Sequence, residues 1–219
     1  MAALDNALTT LARAKQVLEI SGSSKDAVLT MFILGASKFI ETYCNRQFGR
    51  ATVSNELLNG RGGKSLYVKR SPIISGQSVS LERINGIGSG SDWQVLDSNG
   101  YVIDYKAGRF VFNGANGWQT GVSEGHFEEG VQNYRANYTG GFYLPKDSQY
   151  QDGTDDDLDL PFDLEMACIS LVGSAFRQRK SRGISSQKVF QVQLTFSKGL
   201  QDDPDLKATL DSYRVMRVG

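Results

Sequence analysis

Glycine placement is the strongest constraint on how this chain can fold. Of its 24 glycines, 16 fall between Gly60 and Gly141, and only eight are shared among all the remaining residues. A glycine inside a helix costs about 1 kcal/mol relative to alanine, whereas in a turn it supplies the positive φ that other residues resist. The central stretch is therefore predicted to be turn-rich and β-forming. The glycine-poor flanks carry helical periodicity, so the expectation is a helical framework with a β-rich insertion. At 219 residues and 40% hydrophobic content the chain can bury a substantial core, which excludes global disorder.

The first helix is expected to start at Thr9 or Thr10, with Leu11, Ala14 and Leu18 sharing a face. Ser23 with Asp26 three positions on resembles a capping box, and predicts a long helix from there to about Arg46. Val28, Phe32, Phe39 and Tyr43 form one stripe of that helix, and Leu29, Ile33, Ala36 and Ile40 form its neighbour. So wide an apolar face implies burial on two sides, as in a bundle or an oligomer interface.

From about Arg50 the pattern changes to short runs rich in Val, Ile, Tyr and Phe separated by glycine turn signals. The expected strands are Thr52–Leu58, Ser65–Lys69, Ser78–Ile84, Trp93–Leu96, Tyr101–Tyr105, Arg109–Phe112 and Gln132–Tyr138. Asn99-Gly100 suits a tight type I′ hairpin turn.

Residues 147–160 read as a polar, acidic, mobile loop, after which Pro161 can occupy a first helical turn. Phe162, Met166, Ile169, Gly173 and Phe176 then repeat at helical spacing. Acidic residues at the start of this helix and basic ones at its end match the helix dipole. Phe190, Val192, Leu194 and Phe196 alternate with polar residues and predict a strand. Asp203 and Pro204 open a last helix with Leu206, Leu210 and Tyr213 on its apolar face.

The fold class that follows is α+β: a helical bundle framework of about four helices with a Gly-rich, mainly antiparallel β insertion, as a sheet or barrel. The expected parts are an N-terminal helical segment 1–49, the insertion 50–143, an acidic linker 144–160, and a C-terminal helix, strand and terminal helix 161–219.

Catalytic motifs fail on context. Gly63-Lys64-Ser65 ends like a phosphate-binding loop, but Leu58 stands where another glycine is required, and strand-like residues follow instead of a helix. A Gly-rich hairpin turn is the better reading. Gly86 to Gly90 lacks the third glycine of a dinucleotide fingerprint and reads as a flexible loop. Gly121-Val122-Ser123-Glu124-Gly125 matches a nucleophile elbow, but the single histidine, His126, follows it directly, whereas the base of such a triad arrives from a distant, later position. One histidine and the separated Cys44 and Cys168 cannot make an ordinary zinc site. Asp155, Asp157 and Asp159 have calcium-loop spacing, but Leu160 replaces the turn glycine and Met166 the bidentate glutamate. Asn137-Tyr138-Thr139 fits a glycosylation acceptor, which carries no weight without a secretory signal. No enzyme activity, cofactor or metal is expected.

The 24 basic and 24 acidic residues cancel, giving no overall drive toward nucleic acid or anionic lipid. Charge is nevertheless segregated: Asp147 to Glu165 holds eight acidic residues and no basic ones, and Arg177 to Lys188 holds five basic and no acidic ones. That pattern bears on partners. The N-terminus lacks the layout of a signal peptide and no apolar run approaches the roughly 20 residues that span a bilayer, so synthesis in a reducing cytoplasm and no membrane partner are expected.

The order of elements carries a resemblance. Leu8 to Ala12 leading into Val17-Leu18, Ala36 to Arg46, Tyr134 to Gly141, Leu160 to Cys168, Gly183 to Ser186 and Leu210 to Arg214 follow one another as in the head-tail connector (adaptor or head-completion) proteins of tailed bacteriophages, which the sequence resembles over nearly its whole length. The β insertion is longer than in compact helical members.

That resemblance implies a structural virion protein in the virion neck. It would form a homo-oligomeric ring, typically twelve-fold, docking beneath the portal protein after DNA packaging and offering its other face to a stopper or tail-completion protein. Non-specific proximity to genomic DNA in the channel goes with that position. By the same analogy Leu206, Leu210, Tyr213, Arg214 and Arg217 grip the portal, and deletion after Gly199 should leave the fold while abolishing portal binding. A ring needs two different, complementary surfaces per subunit. Arg177, Arg179, Lys180 and Arg182 are assigned to a subunit or partner interface. The competing readings are a tail-completion or stopper protein, and a carbohydrate-binding β module using Trp93, Trp118 and Tyr143 as stacking platforms.

Overall fold

The computed structural model describes residues 6–85, 92–113, 126–151, 158–181, 196–197, 200–201 and 203–215, with the side chains of 179–181 left out. The chain divides into two compact units, one formed by Met1–Gly49 with Phe142–Arg217 and the other by Arg50–Gly141.

In the helical unit α1 spans Leu11–Val17, capped by the Thr10 hydroxyl, which accepts from the Arg13 amide at 3.3 Å. α2 spans Asp26–Cys44 and ends at Asn45 in the left-handed conformation, φ 52°, the αL stop that asparagine tolerates better than most residues. The expected capping box does not form. Lys25 occupies the cap position without a side-chain bond, and Asp26 is engaged by Lys15, whose ammonium also donates to the Gly22 carbonyl at 2.6 Å. α3 spans Phe162–Ser181 with Asp163 and Glu165 in its first turn, and the Pro161 carbonyl accepts from the Leu164 and Glu165 amides. α4 spans Pro204–Ser212 under an Asp203 cap, with Asp203 Oδ1 accepting from the Leu206 amide at 3.0 Å.

α2 is long and apolar enough, by length and composition alone, to cross a membrane. Here it is a core helix: Leu29, Ile33, Ala36, Ile40 and Cys44 have no exposed surface, and α1, α3 and α4 all pack on it. Burial of each such aliphatic side chain contributes about 1.5–3 kcal/mol. Leu164, Cys168, Leu171, Val172 and Ala175 of α3 complete the core, together with Leu206 and Leu210 of α4. A bidentate ion pair ties α1 to α3. Arg13 Nε and Nη2 donate to the two oxygens of Glu165 at 2.6 and 2.7 Å, and the Thr9 hydroxyl adds a third bond at 2.8 Å. Residues 142–151 and 158–160 are also fastened: Tyr143 makes a parallel bridge with Asp159, and the buried Asp159 carboxylate accepts from the Gln151 amide. The described ends of the expected acidic loop are thus held in place. Of the expected strand at 190–196, only Phe196 is described; it is helical and buried.

The β unit contains two antiparallel sheets. β1 (Ala51–Gly60), β7 (Gly130–Gly140), β3 (Ser80–Asn85) and β4 (Asp92–Val95) form one in the order β1-β7-β3-β4, and β2 (Ser65–Tyr67), β6 (Arg109–Phe112) and β5 (Tyr101–Asp104) form the other in the order β2-β6-β5. Inward residues of both meet in one core: Leu58, Leu81, Tyr134, Ala136 and Tyr138 from the first, Leu66, Tyr101, Phe110 and Phe112 from the second, with Phe127 between them in edge-on contact with Phe112 and Tyr134. The β1–β7 ladder shifts register twice, beside Asn55 and Gln132, both at positive φ. Asparagine side chains replace the lost ladder bonds. Asn137 Oδ1 accepts from the Asn55 amide, Asn59 Oδ1 from the Gln132 amide and Asn133 Oδ1 from the Gly60 amide, at 2.7–2.8 Å.

Two turn expectations fail. Asn99-Gly100 lies in a short 3₁₀ turn, Ser98–Gly100, where the Asp97 carboxylate takes the Asn99 amide at 2.9 Å. It joins strands of different sheets, because β4 pairs with β3 and β5 with β6. The Gly60–Ser65 segment likewise connects β1 to β2 across sheets, so it is no hairpin. A strand follows it, and the helix a phosphate loop requires is missing there. Residues 86–90 and 121–125, the other two glycine motifs, lie outside the described residues.

Candidate interaction surfaces

One end of the helical unit gathers a cluster of aromatic and ionic groups. Where α2 stops, Tyr43, Cys44 and Arg46 meet the last turn of α4. The Tyr43 hydroxyl donates to Asp211 Oδ1 at 2.5 Å, and Lys207 pairs with Asp211 Oδ2 at 2.5 Å. The Arg214 guanidinium lies over the Tyr43 ring at 5.4 Å, and the Tyr213 hydroxyl donates to Asp163 Oδ1 at 2.8 Å. Phe48 meets Tyr213 edge-on at 6.4 Å with Arg46 stacked over Phe48 at 5.3 Å. The backbone joins in: the Val215 amide donates to the Cys44 carbonyl and the Cys44 thiol to the Leu210 carbonyl.

The electrostatics follow from this packing. Hydrogen bonds from Lys207 and Tyr43 hold the Asp211 carboxyl below its usual range, and the same carboxylate raises Lys207. Desolvation, then Asp211, pushes Tyr43 up; desolvation, then Asp163, pushes Tyr213 up. Burial lowers Arg46 and lifts the Cys44 and Cys168 thiols to about 12 each. Protonated tyrosines and thiols of this kind hold elements together and make poor acid–base or nucleophilic groups near neutral pH. Among the described residues no three His, Cys, Asp or Glu side chains are placed to hold a metal ion.

The residues assigned to portal contact divide sharply. Leu206 and Leu210 are buried in the subunit's own core, so they anchor α4 and present nothing outward. Removing everything after Gly199 would therefore open that core, and the expectation that such a deletion leaves the fold intact is corrected. Tyr213 is half-buried and Arg214 exposed; Arg217 lies outside the described residues. At the end of α3, Arg177 is exposed, whereas the side chains of Arg179 and Lys180, and the whole of Arg182, lie outside them. The sequence places Tyr43 on a helix stripe and Asp163 at a helix start, but gives no contact between Tyr43, Arg46, Phe48 or Asp163 and the C-terminal segment. No local signal marks them, since their partners are between 50 and 168 residues away for Tyr213–Asp163 and Tyr43–Asp211.

Trp93 is covered by Arg135 at 4.6 Å, itself paired to Glu82, while Tyr143 belongs to the helical unit and Trp118 lies outside the described residues.

Residues 8–91 match the family described as phage gp6-like head-tail connector protein, covering α1, α2 and the first strands of the β unit. No curated protein matches the sequence. Among solved structures, the neck of an empty gene transfer agent (GTA) particle computed with C6 symmetry superposes with a TM-score of 0.50 at 16% identity, over 100% of this chain and 95% of that one. The virion of a native gene transfer agent particle gives 0.48 at 13% identity, with the same coverage. The first of these shares its fold with this chain.

Proposed function

We propose that this protein is a non-enzymatic structural connector of the virion neck, assembling as a ring that joins the portal of the head to the tail or to a stopper protein. The observation that carries the reading is the connector-family match over residues 8–91, which includes the entire core helix α2. The likeness of fold to a neck protein across the full chain supports it. Two further features fit a ring built from head-to-tail contacts. The outward stripe of α2 carries Ala27 and Met31, both exposed, and Leu34 and Gly35, half-buried, and runs on into the exposed Lys38. Arg177 offers a cation at the end of α3. Within the C-terminal segment, Tyr213, Arg214 and Arg217 are the residues proposed to contact the portal, with Leu206 and Leu210 fixing the helix that carries them.

The test is light scattering combined with negative-stain microscopy on the full chain, alone and mixed with a portal protein from the same genome. Rings, or a stable complex with the portal, support the proposal; a monomer that ignores the portal overturns it. Neutralising Arg177, Arg179, Lys180 and Arg182 together should weaken assembly and flatten its salt dependence, and unchanged assembly rejects their role.

A further inference from the structure

The four-stranded sheet has one unguarded edge. In the order β1-β7-β3-β4, nothing among the described residues pairs with β4 on the side away from β3. At the opposite edge β1 is interrupted by its register shifts, and the Glu56 carboxylate accepts from the Lys69 amide at 3.0 Å. β4 has neither protection. Its register with β3 is unbroken, and its sequence, Asp92-Trp93-Gln94-Val95, includes no lysine or proline. Ladder parity decides which backbone groups face out. The Leu96 amide donates to the Leu81 carbonyl at 2.9 Å, so Leu81 and Leu96 are a bonded pair. Bonded pairs alternate along an antiparallel ladder, which makes Arg83–Gln94 and Asn85–Asp92 bonded pairs as well. Trp93 and Val95 therefore each turn an N–H and a C=O away from β3. Their side chains share the outward face with Glu82 and Arg135, and Val95 is 63% exposed.

The C-terminal third of the chain supplies a sequence that matches this edge. Phe190, Val192, Leu194 and Phe196 alternate with Gln191, Gln193 and Thr195, a strand pattern. Among the described residues the helical unit has no strand to pair with it, only isolated bridges. Residues 182–195 lie outside the described residues, between Ser181 at the end of α3 and Phe196, which is buried against Phe39 at 5.8 Å. At about 3.3 Å per residue, a length of chain held at both ends in this way reaches roughly 20 Å out and back. The charges are complementary too. Asp92 and Asp97 stand exposed at the two ends of β4, whereas residues 182–196 hold Arg182 and Lys188 and no acid.

We propose that the outer edge of β4 is the docking site for residues 188–194 of a second copy of this chain, added as an antiparallel fifth strand. One register satisfies backbone, side chains and charge together. Phe190 stands opposite Val95 and Val192 opposite Trp93 as bonded pairs, laying apolar side chains on the outward face, and Lys188 comes opposite Asp97. Gln94 and Gln191 form the non-bonded pair between them. The inference rests on the ring reading: donor segment and acceptor edge are two different, complementary surfaces on each subunit, and passing a strand to the next copy is a head-to-tail contact.

The test mixes two full-length variants, Gln94→Cys and Gln191→Cys, under mild oxidation, and reads non-reducing gels beside negative-stain images. A non-bonded antiparallel pair places its Cα atoms about 4.5 Å apart, within the span of a disulfide. The mixture should yield a linked heterodimer, and one chain carrying both changes should yield ladders of linked copies. Val102→Cys with Gln191→Cys moves the acceptor thiol to β5, the edge of the other sheet, and should not link. Val95→Pro removes only an outward-facing N–H, which edge strands tolerate, so circular dichroism should be unchanged while rings are lost; Val95→Thr should keep them. Rings without the heterodimer link, or rings that survive Val95→Pro, overturn the inference and leave the connector reading standing. A double variant that links only within one chain overturns it and returns the segment to its own subunit. Neither assembly nor link, with or without the portal, overturns both readings.

Discussion

A carboxylate with almost no solvent contact needs its oxygens fully engaged, and Glu165 achieves this with three bonds from Arg13 and Thr9. Arg13→Ala would strand that charge in the core. The expected cost is about 3 kcal/mol, seen as a lower urea midpoint, while Glu165→Gln combined with Arg13→Met should recover much of it. The thiols give a second check at this scale. With Cys44 and Cys168 raised to about 12 and buried, native protein at pH 8 should resist Ellman's reagent, and two thiols should react only after denaturation. Caps at Thr10 and Asp203 were legible because a cap acts within three residues of itself. Glu165 was legible only as a first-turn acid, since its partner lies 152 residues back along the chain. The Ser23–Asp26 box misled for a related reason: Lys15, from another helix, had the stronger claim on Asp26.

Among the elements, α4 is held by both packing and charge. Leu210→Ala should cost about 2–5 kcal/mol by thermal or urea unfolding, because the side chain has no exposed surface. The contribution of Asp211 has a definite pH sense. Its carboxyl lies below the ordinary value of about 3.9. The stabilisation is therefore fully present above that pH and disappears as pH falls through the lower folded-state value. Asp211→Asn should flatten the acid limb of a melting-temperature profile and leave its neutral region little changed in slope. In the β unit, Asn137→Ala removes the acceptor that serves the Asn55 bulge and should cost about 1–2 kcal/mol. Strand positions were readable from alternation and glycine punctuation, and Arg109–Phe112 matches residue for residue. Pairing order was not. A local Asn-Gly signal says that the chain turns, but only the cores of two sheets decide which strands then meet.

At the scale of the molecule, the signal that was legible is compositional: glycine is concentrated in the unit that needs turns, and helical periodicity in the unit that needs helices. What composition could not reveal is how the boundaries are stitched. In the β unit the first and last strands are neighbours, with Ala51 opposite Gly140. In the helical unit Gly49 bridges Phe142, whose amide donates to the Phe48 carbonyl at 2.7 Å. The ends of each unit at this junction are therefore already side by side before the other unit is considered. Closing the helical unit over a short Gly-Ser link in place of residues 50–141 costs little loop entropy, so that shortened chain should remain helical and melt cooperatively by circular dichroism. Residues 50–141 expressed separately should give dispersed β-type amide resonances. In evolutionary terms, ends held side by side within the helical unit let the stretch between them be enlarged, trimmed or exchanged while the helices keep their own packing.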